Sequence, residues 1–148
     1  AKPAPAVTFG TVQGEKIASE SLRGKVVLVN FWATDCPVCL KEMPRLVETH
    51  RKFQARGFET VAVAMWYDPP IRVTQYLERS PLPFKVAFDP VGEHARAFGD
   101  VTLIAMRLRA SNNLSMQPSR KINVICTRKL PIWDGSSWSA NTATRSIA

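Results

Sequence analysis

The chain has 148 residues, 45% of them hydrophobic and 22% charged, which is one domain's worth of length with enough apolar side chains to bury a core. That balance excludes a disordered tail protein and a collagen-like repeat, and three cysteines are too few for a disulfide-dense miniprotein. No apolar run reaches the ~18 residues a membrane helix needs, and no signal peptide is recognisable. The opening Ala1-Lys-Pro-Ala-Pro-Ala6 suits the mature end of a processed protein, and equally a trimmed one.

Charge divides the chain. The formal net charge is +8, yet residues 1–102 hold 13 basic and 11 acidic residues, whereas residues 103–148 hold 7 and 1, the lone acid being Asp134. The basic isoelectric point therefore says little about the first two-thirds. Arg107, Arg109, Arg120, Lys121, Arg128 and Lys129 fit no nucleic-acid motif and read as a solvated face or an attraction for an acidic partner.

In chain order, residues 1–24 read as a Pro-rich lead and short extended pieces, with Phe9 to Ile17 bracketing a turn at Gln13-Gly14. Lys25 to Phe31 is a continuous apolar and β-branched run, the pattern of a strand covered on both faces. After Trp32-Ala-Thr-Asp-Cys-Pro-Val-Cys39, the residues Leu40, Met43, Leu46, Val47 and Phe53 recur at helical spacing. Gly57 stops that helix, and Pro44 inside it removes one hydrogen bond and should kink it. Phe58 to Trp66 reads as a second buried strand, Asp68-Pro-Pro70 to about Arg79 as a helix, and Phe84 to Phe88 as a third strand. Asp89-Pro90 opens a last helix ending near Phe98-Gly99. Strictly alternating strands and helices predict an α/β domain with parallel pairing.

The character changes after Thr102. Ser, Thr and Asn supply 14 of the last 46 residues. Ile122 to Cys126 and Pro131 to Trp133 read as a hairpin around Thr127-Arg128-Lys129, and Gly135 to Ala148 as a loose tail. The chain thus divides into a core, residues 1–102, and a divergent segment, residues 103–148, that either completes the sheet or is disordered.

Cys36 and Cys39 are separated by two residues, just after a buried strand and at a helix start. Pro37 suits the first helical position, which makes Cys36 the cap. A thiolate there accepts the free amides of Val38 and Cys39 and meets the positive end of the helix dipole, so its pKa falls below the free value of ~8.5. Cys39, one turn along, is placed to close a ring. Cys36 is accordingly the attacking thiol and Cys39 the resolving one. The plainer alternatives are a structural disulfide or half of a zinc site. Zinc wants about four ligands, and Cys126, His50 and His94 lack the spacing to supply them. Each histidine reads as a surface or capping residue and Cys126 as an inert core thiol.

The run Leu22-Arg-Gly-Lys-Val-Val-Leu-Val-Asn-Phe-Trp-Ala-Thr-Asp-Cys-Pro-Val-Cys-Leu-Lys-Glu-Met-Pro44 resembles the thioredoxin-like thiol–disulfide oxidoreductases of the TlpA type. The likeness covers about Phe9 to Asp100 and includes Pro44, which matches the family's helix-kinking proline. It implies a thioredoxin-like fold, a central mixed sheet flanked by helices. It also implies a periplasmic setting, often with a membrane tether, and reduction of disulfides in exported proteins. The partners so implied are a disulfide or dithiol protein and an upstream electron donor, with no cofactor and no metal. Trp32, Asp35, Pro37, Val38 and Pro44 become supporting residues of the Cys36–Cys39 pair.

Three departures from the family stand out. Asp35 precedes Cys36 where these proteins often carry Trp, and a carboxylate there opposes the thiolate, unless it serves only as a helix N-terminal charge. Asn30 replaces the buried acid that classical thioredoxins place six residues before the first cysteine, so it cannot act as a base. The family's cis-proline, which faces the cysteines and binds peptide, does not follow Phe98-Gly99; the next proline is Pro118. The closing hairpin and last helix are also absent from the pattern, which fits a divergent tail or an out-of-frame reading. Loss of those strands would leave an unprotected sheet edge. Two other functions remain: a peroxiredoxin-like peroxidase, for which Thr34 is present but no upstream proline, and a non-catalytic Cu(I) carrier.

Overall fold

The computed structural model describes residues 5–99 and two short backbone strands, 123–125 and 146–147. The first hairpin joins β1 (Thr8–Thr11) to β2 (Lys16–Ala18) antiparallel, with Gly14 at φ 85° in the turn. Three parallel strands follow: β3 (Val26–Trp32), β4 (Phe58–Ala64) and β5 (Lys85–Phe88). Helix α1 (Pro37–Phe53) links β3 to β4, α2 (Pro70–Arg79) links β4 to β5, and α3 (Glu93–Ala97) follows β5. β6 (Asn123–Ile125) runs parallel beside β3, and β7 (Ser146–Ile147) is antiparallel to β6. The sheet order is β2-β1-β5-β4-β3-β6-β7. The parallel centre is what the alternating pattern predicts, and the mixed sheet as a whole is what the TlpA-type resemblance implies.

Side chains of β3 alternate between two cores. Val27, Val29 and Phe31 join Phe9, Val61, Val63 and Ala95 of α3 on one face. Leu28 and Trp32 join Met43 and Leu46 of α1, with Val73 of α2, on the other. A strand sandwiched this way has no solvent face, which is why its sequence reads as an unbroken apolar run.

The structure corrects several expectations. The helix after β5 does not begin at Asp89-Pro90. That dipeptide makes a turn, Gly92 sits at φ 73°, and α3 starts at Glu93. The buried Asp89 carboxylate caps α3 from a distance, accepting the amides of His94 (3.1 Å) and Ala95 (2.9 Å). The strand near Ile122 pairs with Ser146–Ile147, so the stretch read as loose tail contributes a strand. β6 also covers the outer edge of β3, which is therefore not an open edge. Pro131 to Trp133, Cys126, Pro118 and the boundary at Thr102 lie outside the described residues. His50 is no surface residue. It is 4% exposed, its Nδ1 is 3.2 Å from the Thr60 hydroxyl, and its ring packs on Phe58 and Phe84. Burial lowers its pKa and the nearby Glu59 carboxylate works the other way. His94 is largely covered too, with Nε2 3.1 Å from the Thr8 carbonyl and its ring against Phe9.

Candidate active site

β3 ends at Trp32 and the chain turns through Ala33, Thr34 and Asp35 into α1. Pro37 is the first helical residue, because its fixed φ suits that position and its missing amide costs nothing there. Cys36 is the cap: its backbone is extended at φ −102°, ψ 93°, and its sulfur accepts the Cys39 amide at 3.3 Å. The Val38 amide, also expected to donate to this sulfur, makes no such bond; the Cys39 amide does. Cys36 and Cys39 are joined in a disulfide, Cα to Cα 5.3 Å. The two sulfurs are not equivalent. Cys36 is half-buried, whereas Cys39 is 8% exposed and belongs to the core beneath α1.

The supporting residues divide by depth. Trp32 is wholly buried in the same core as Cys39, tilted against Tyr76 at 5.2 Å, so it backs the pair from beneath. Asp35, Pro37 and Val38 are exposed around the cysteines. Pro44 is exposed too, and α1 runs through it without interruption, so the missing bond falls on the side water can reach. Asn30 is 7% exposed within β3.

A residue outside the sequence-based candidates holds the turn ahead of Cys36. Asp68, 5% exposed, accepts the Thr34 amide at 2.6 Å and the Thr34 hydroxyl at 2.7 Å. These bonds tie the β4–α2 loop to the turn that presents Cys36. They also commit the Thr34 hydroxyl proton to Asp68, so it is not free to serve a peroxide at the cysteine. The signal was present in the sequence as an acid before Pro69-Pro70. It read as a helix opening, because nothing local tells which backbone a carboxylate will meet. The buried-side neighbour, Met65, donates its amide to the Trp32 carbonyl at 2.9 Å, so the ends of β3 and β4 are locked together. Just beyond, Trp66 and Tyr67 stand out at 59% and 41% exposed, edge to face at 5.5 Å. Burial raises the Tyr67 pKa, and the Asp35 and Asp68 carboxylates raise it further. Among the described residues, no three His, Cys, Asp or Glu side chains gather in a way that would hold a metal ion.

Known proteins resemble this chain in sequence and fold. The Redoxin family model matches residues 1–114. The chain is 34% identical over 102 residues to the thiol-disulfide oxidoreductase ResA of Bacillus thuringiensis subsp. konkukian, covering 69% of this chain and 58% of that protein. Against ResA of Halalkalibacterium halodurans the identity is 35% over 78 residues, 53% of this chain and 44% of that one. The chain therefore spans about half the length of the curated relatives it matches. Among solved structures, a thioredoxin-type protein of Neisseria meningitidis superposes with a TM-score of 0.63 at 36% identity, covering 71% of this chain and 69% of that one. A thiol:disulfide interchange protein of Chlorobium tepidum gives 0.60 at 35% identity, with 66% of each chain covered.

Proposed function

We propose that this chain, which belongs to the redoxin family, is a thiol–disulfide oxidoreductase that reduces or exchanges disulfides in partner proteins through Cys36 and Cys39. The observation that carries this reading is the cap: the Cys36 sulfur accepts a helix amide at the positive end of α1. Both effects favour the thiolate, the form that attacks a disulfide.

The exposures support a division of roles. In the reduced protein the accessible Cys36 thiolate attacks one sulfur of the partner disulfide, forming a mixed disulfide and releasing one partner thiolate. The buried Cys39 thiolate then attacks the Cys36 sulfur, releasing the second partner thiol. The chain ends oxidised, with the bond seen here, and the partner has gained two electrons. An upstream dithiol donor restores the reduced pair. Trp32 shields the pair from below, Pro37 and Val38 set its potential, and Asp35 opposes the thiolate at Cys36. Pro118 is the candidate for the peptide-binding proline.

The compartment follows the same reading. The TlpA-type resemblance supports a periplasmic or extracytoplasmic site, with any membrane tether outside this chain. Among the described residues no helix is long and apolar enough to cross a membrane.

The test is insulin-disulfide reduction with Cys36→Ser and Cys39→Ser. Cys36→Ser abolishes turnover. Cys39→Ser leaves the first step intact and accumulates a mixed disulfide that names the partner. Turnover surviving in Cys36→Ser, or alkylation of Cys36 no faster than that of free cysteine, overturns the assignment.

A further inference from the structure

Two loops meet beside Cys36. Thr34 and Asp35 belong to the β3–α1 turn, Trp66 and Tyr67 to the β4–α2 loop. The Thr34–Asp68 bonds and the Met65–Trp32 bond hold the two loops in one fixed relation. Their outward faces carry an unusual mixture. Val38, Trp66 and Tyr67 are large apolar groups left 45%, 59% and 41% exposed. Asp35 is an exposed carboxylate, and among the described residues no cation pairs with it.

Trp66 is exposed yet held. A Cβ placed on Gly92 would lie 3.1 Å from the Trp66 ring, so that ring rests against the Gly92 backbone. Tyr67 stands edge-on to it. An aromatic pair fixed this way costs little conformational entropy when a partner covers it, which is the property of interface anchors. The ring faces carry negative potential and attract ammonium and guanidinium groups. Asp35 attracts the same groups by charge. Asp35 directly precedes Cys36, and the loop carrying Trp66 and Tyr67 is bonded through Asp68 to Thr34 in the same turn, so two independent chemistries favour one kind of visitor.

We infer that the Asp35, Val38, Trp66 and Tyr67 surface is a docking face for a partner disulfide whose flanking residues are basic, the cation seated between the Asp35 carboxylate and the Trp66–Tyr67 rings. The inference rests on the oxidoreductase reading and names the substrate class for it. From Trp66 a groove of about 880 Å³ continues past Val91 toward Thr8 and Lys16, a path for the chain beyond the docked cation.

The experiment compares two disulfide-linked peptides, identical except that arginine or glutamate flanks the cysteines. Each is reduced by the dithiol form of the full chain, with kcat/KM measured. The wild type prefers the arginine peptide by about tenfold, the scale of one exposed attraction plus one exposed repulsion. The preference shrinks at high salt. Asp35→Asn brings the ratio near unity, and Asp35→Lys inverts it. Because both peptides meet the same thiolate, the ratio cancels any change in Cys36 reactivity. Trp66→Ala lowers kcat/KM for the arginine peptide about fivefold and the glutamate peptide much less. Equal rates for the two peptides in the wild type, or a ratio unmoved by Asp35→Asn, overturn the docking face. The oxidoreductase reading survives that result as long as either peptide is reduced. Reduction of neither peptide defeats the function itself.

Discussion

Two buried polar side chains each meet a threonine, one at each end of the structure. At the start of α1 the Asp68 carboxylate holds both donors of Thr34. In the last turn of the same helix, ~20 Å away at 1.5 Å per residue, the His50 ring meets the hydroxyl of Thr60 in β4. Both pairs tie a helix end or a turn to a neighbouring strand or loop. They differ in charge. Asp68 is a carboxylate and holds the turn that carries Cys36. His50 is kept neutral by burial and does no more than hold α1 against β4 among Phe58 and Phe84. A fold that must present chemistry at one end and stay closed at the other places charge where a donor pair can neutralise it, and aromatic packing where none is available.

The largest effect that would sharpen this contrast is at Asp68. Asp68→Ala leaves the Thr34 amide and hydroxyl without their acceptor. It should lower stability by about 3 kcal/mol, since hydrogen bonds to charged groups contribute about 1.5–3 kcal/mol each and are not additive. Urea unfolding measures the loss. Insulin reduction should slow with it, because the Cys36 turn loosens. A variant as stable and as active as the wild type would show that the turn holds itself.

At the other end, Thr60→Val removes the partner of His50 while keeping volume. We expect a loss of about 1 kcal/mol and unchanged disulfide reduction. A drop in turnover exceeding the loss of folded protein would break the separation of the two ends.

The third effect is on pH. His50 has a lowered pKa in the folded state, so the unfolded chain binds more protons whenever its own histidine is charged. Stability is complete above the unfolded value of ~6.5 and declines as pH falls from there toward the folded value. Urea midpoints at neutral and mildly acid pH should show this decline, and it should flatten in His50→Leu. An unchanged slope in that variant would assign the dependence to another group.

The smallest effect is electrostatic. Asp35 is exposed to water, so Asp35→Asn removes only a screened repulsion. It lowers the Cys36 pKa slightly, read by thiolate absorbance in the reduced protein. No movement would make Asp35 a helix N-terminal charge and nothing more.

Much of this was legible before any coordinates. The apolar runs of β3 and β4, the capping cysteine, Pro37 and the Gln13-Gly14 turn follow from local sequence, because each rests on the geometry of a few adjacent residues. The failures have a common form. Asp89 looked like a helix start because acid-proline is a helix-opening signal. It serves α3 instead across Gly92, whose left-handed backbone delays the helix to Glu93. His50 reads as a surface or capping residue from its place on a helix, and only the approach of β4 and Phe84 buries it. Ser146–Ile147 shows no periodicity, and its pairing with β6 is settled by what lies beside it.

The cysteine spacing and the proline between them determined by themselves that one sulfur caps a helix, since a cap needs only its own three following residues. Which carboxylate steadies that sulfur's turn was decided by tertiary structure: Asp68 reaches Thr34 across 34 positions of sequence. The exposure of Trp66 and Tyr67 beside the sulfur was decided in the same way. Hydrogen bonds and burial between distant segments depend on which chain folds back where, and the parallel pairing of β3 with β4 fixes that.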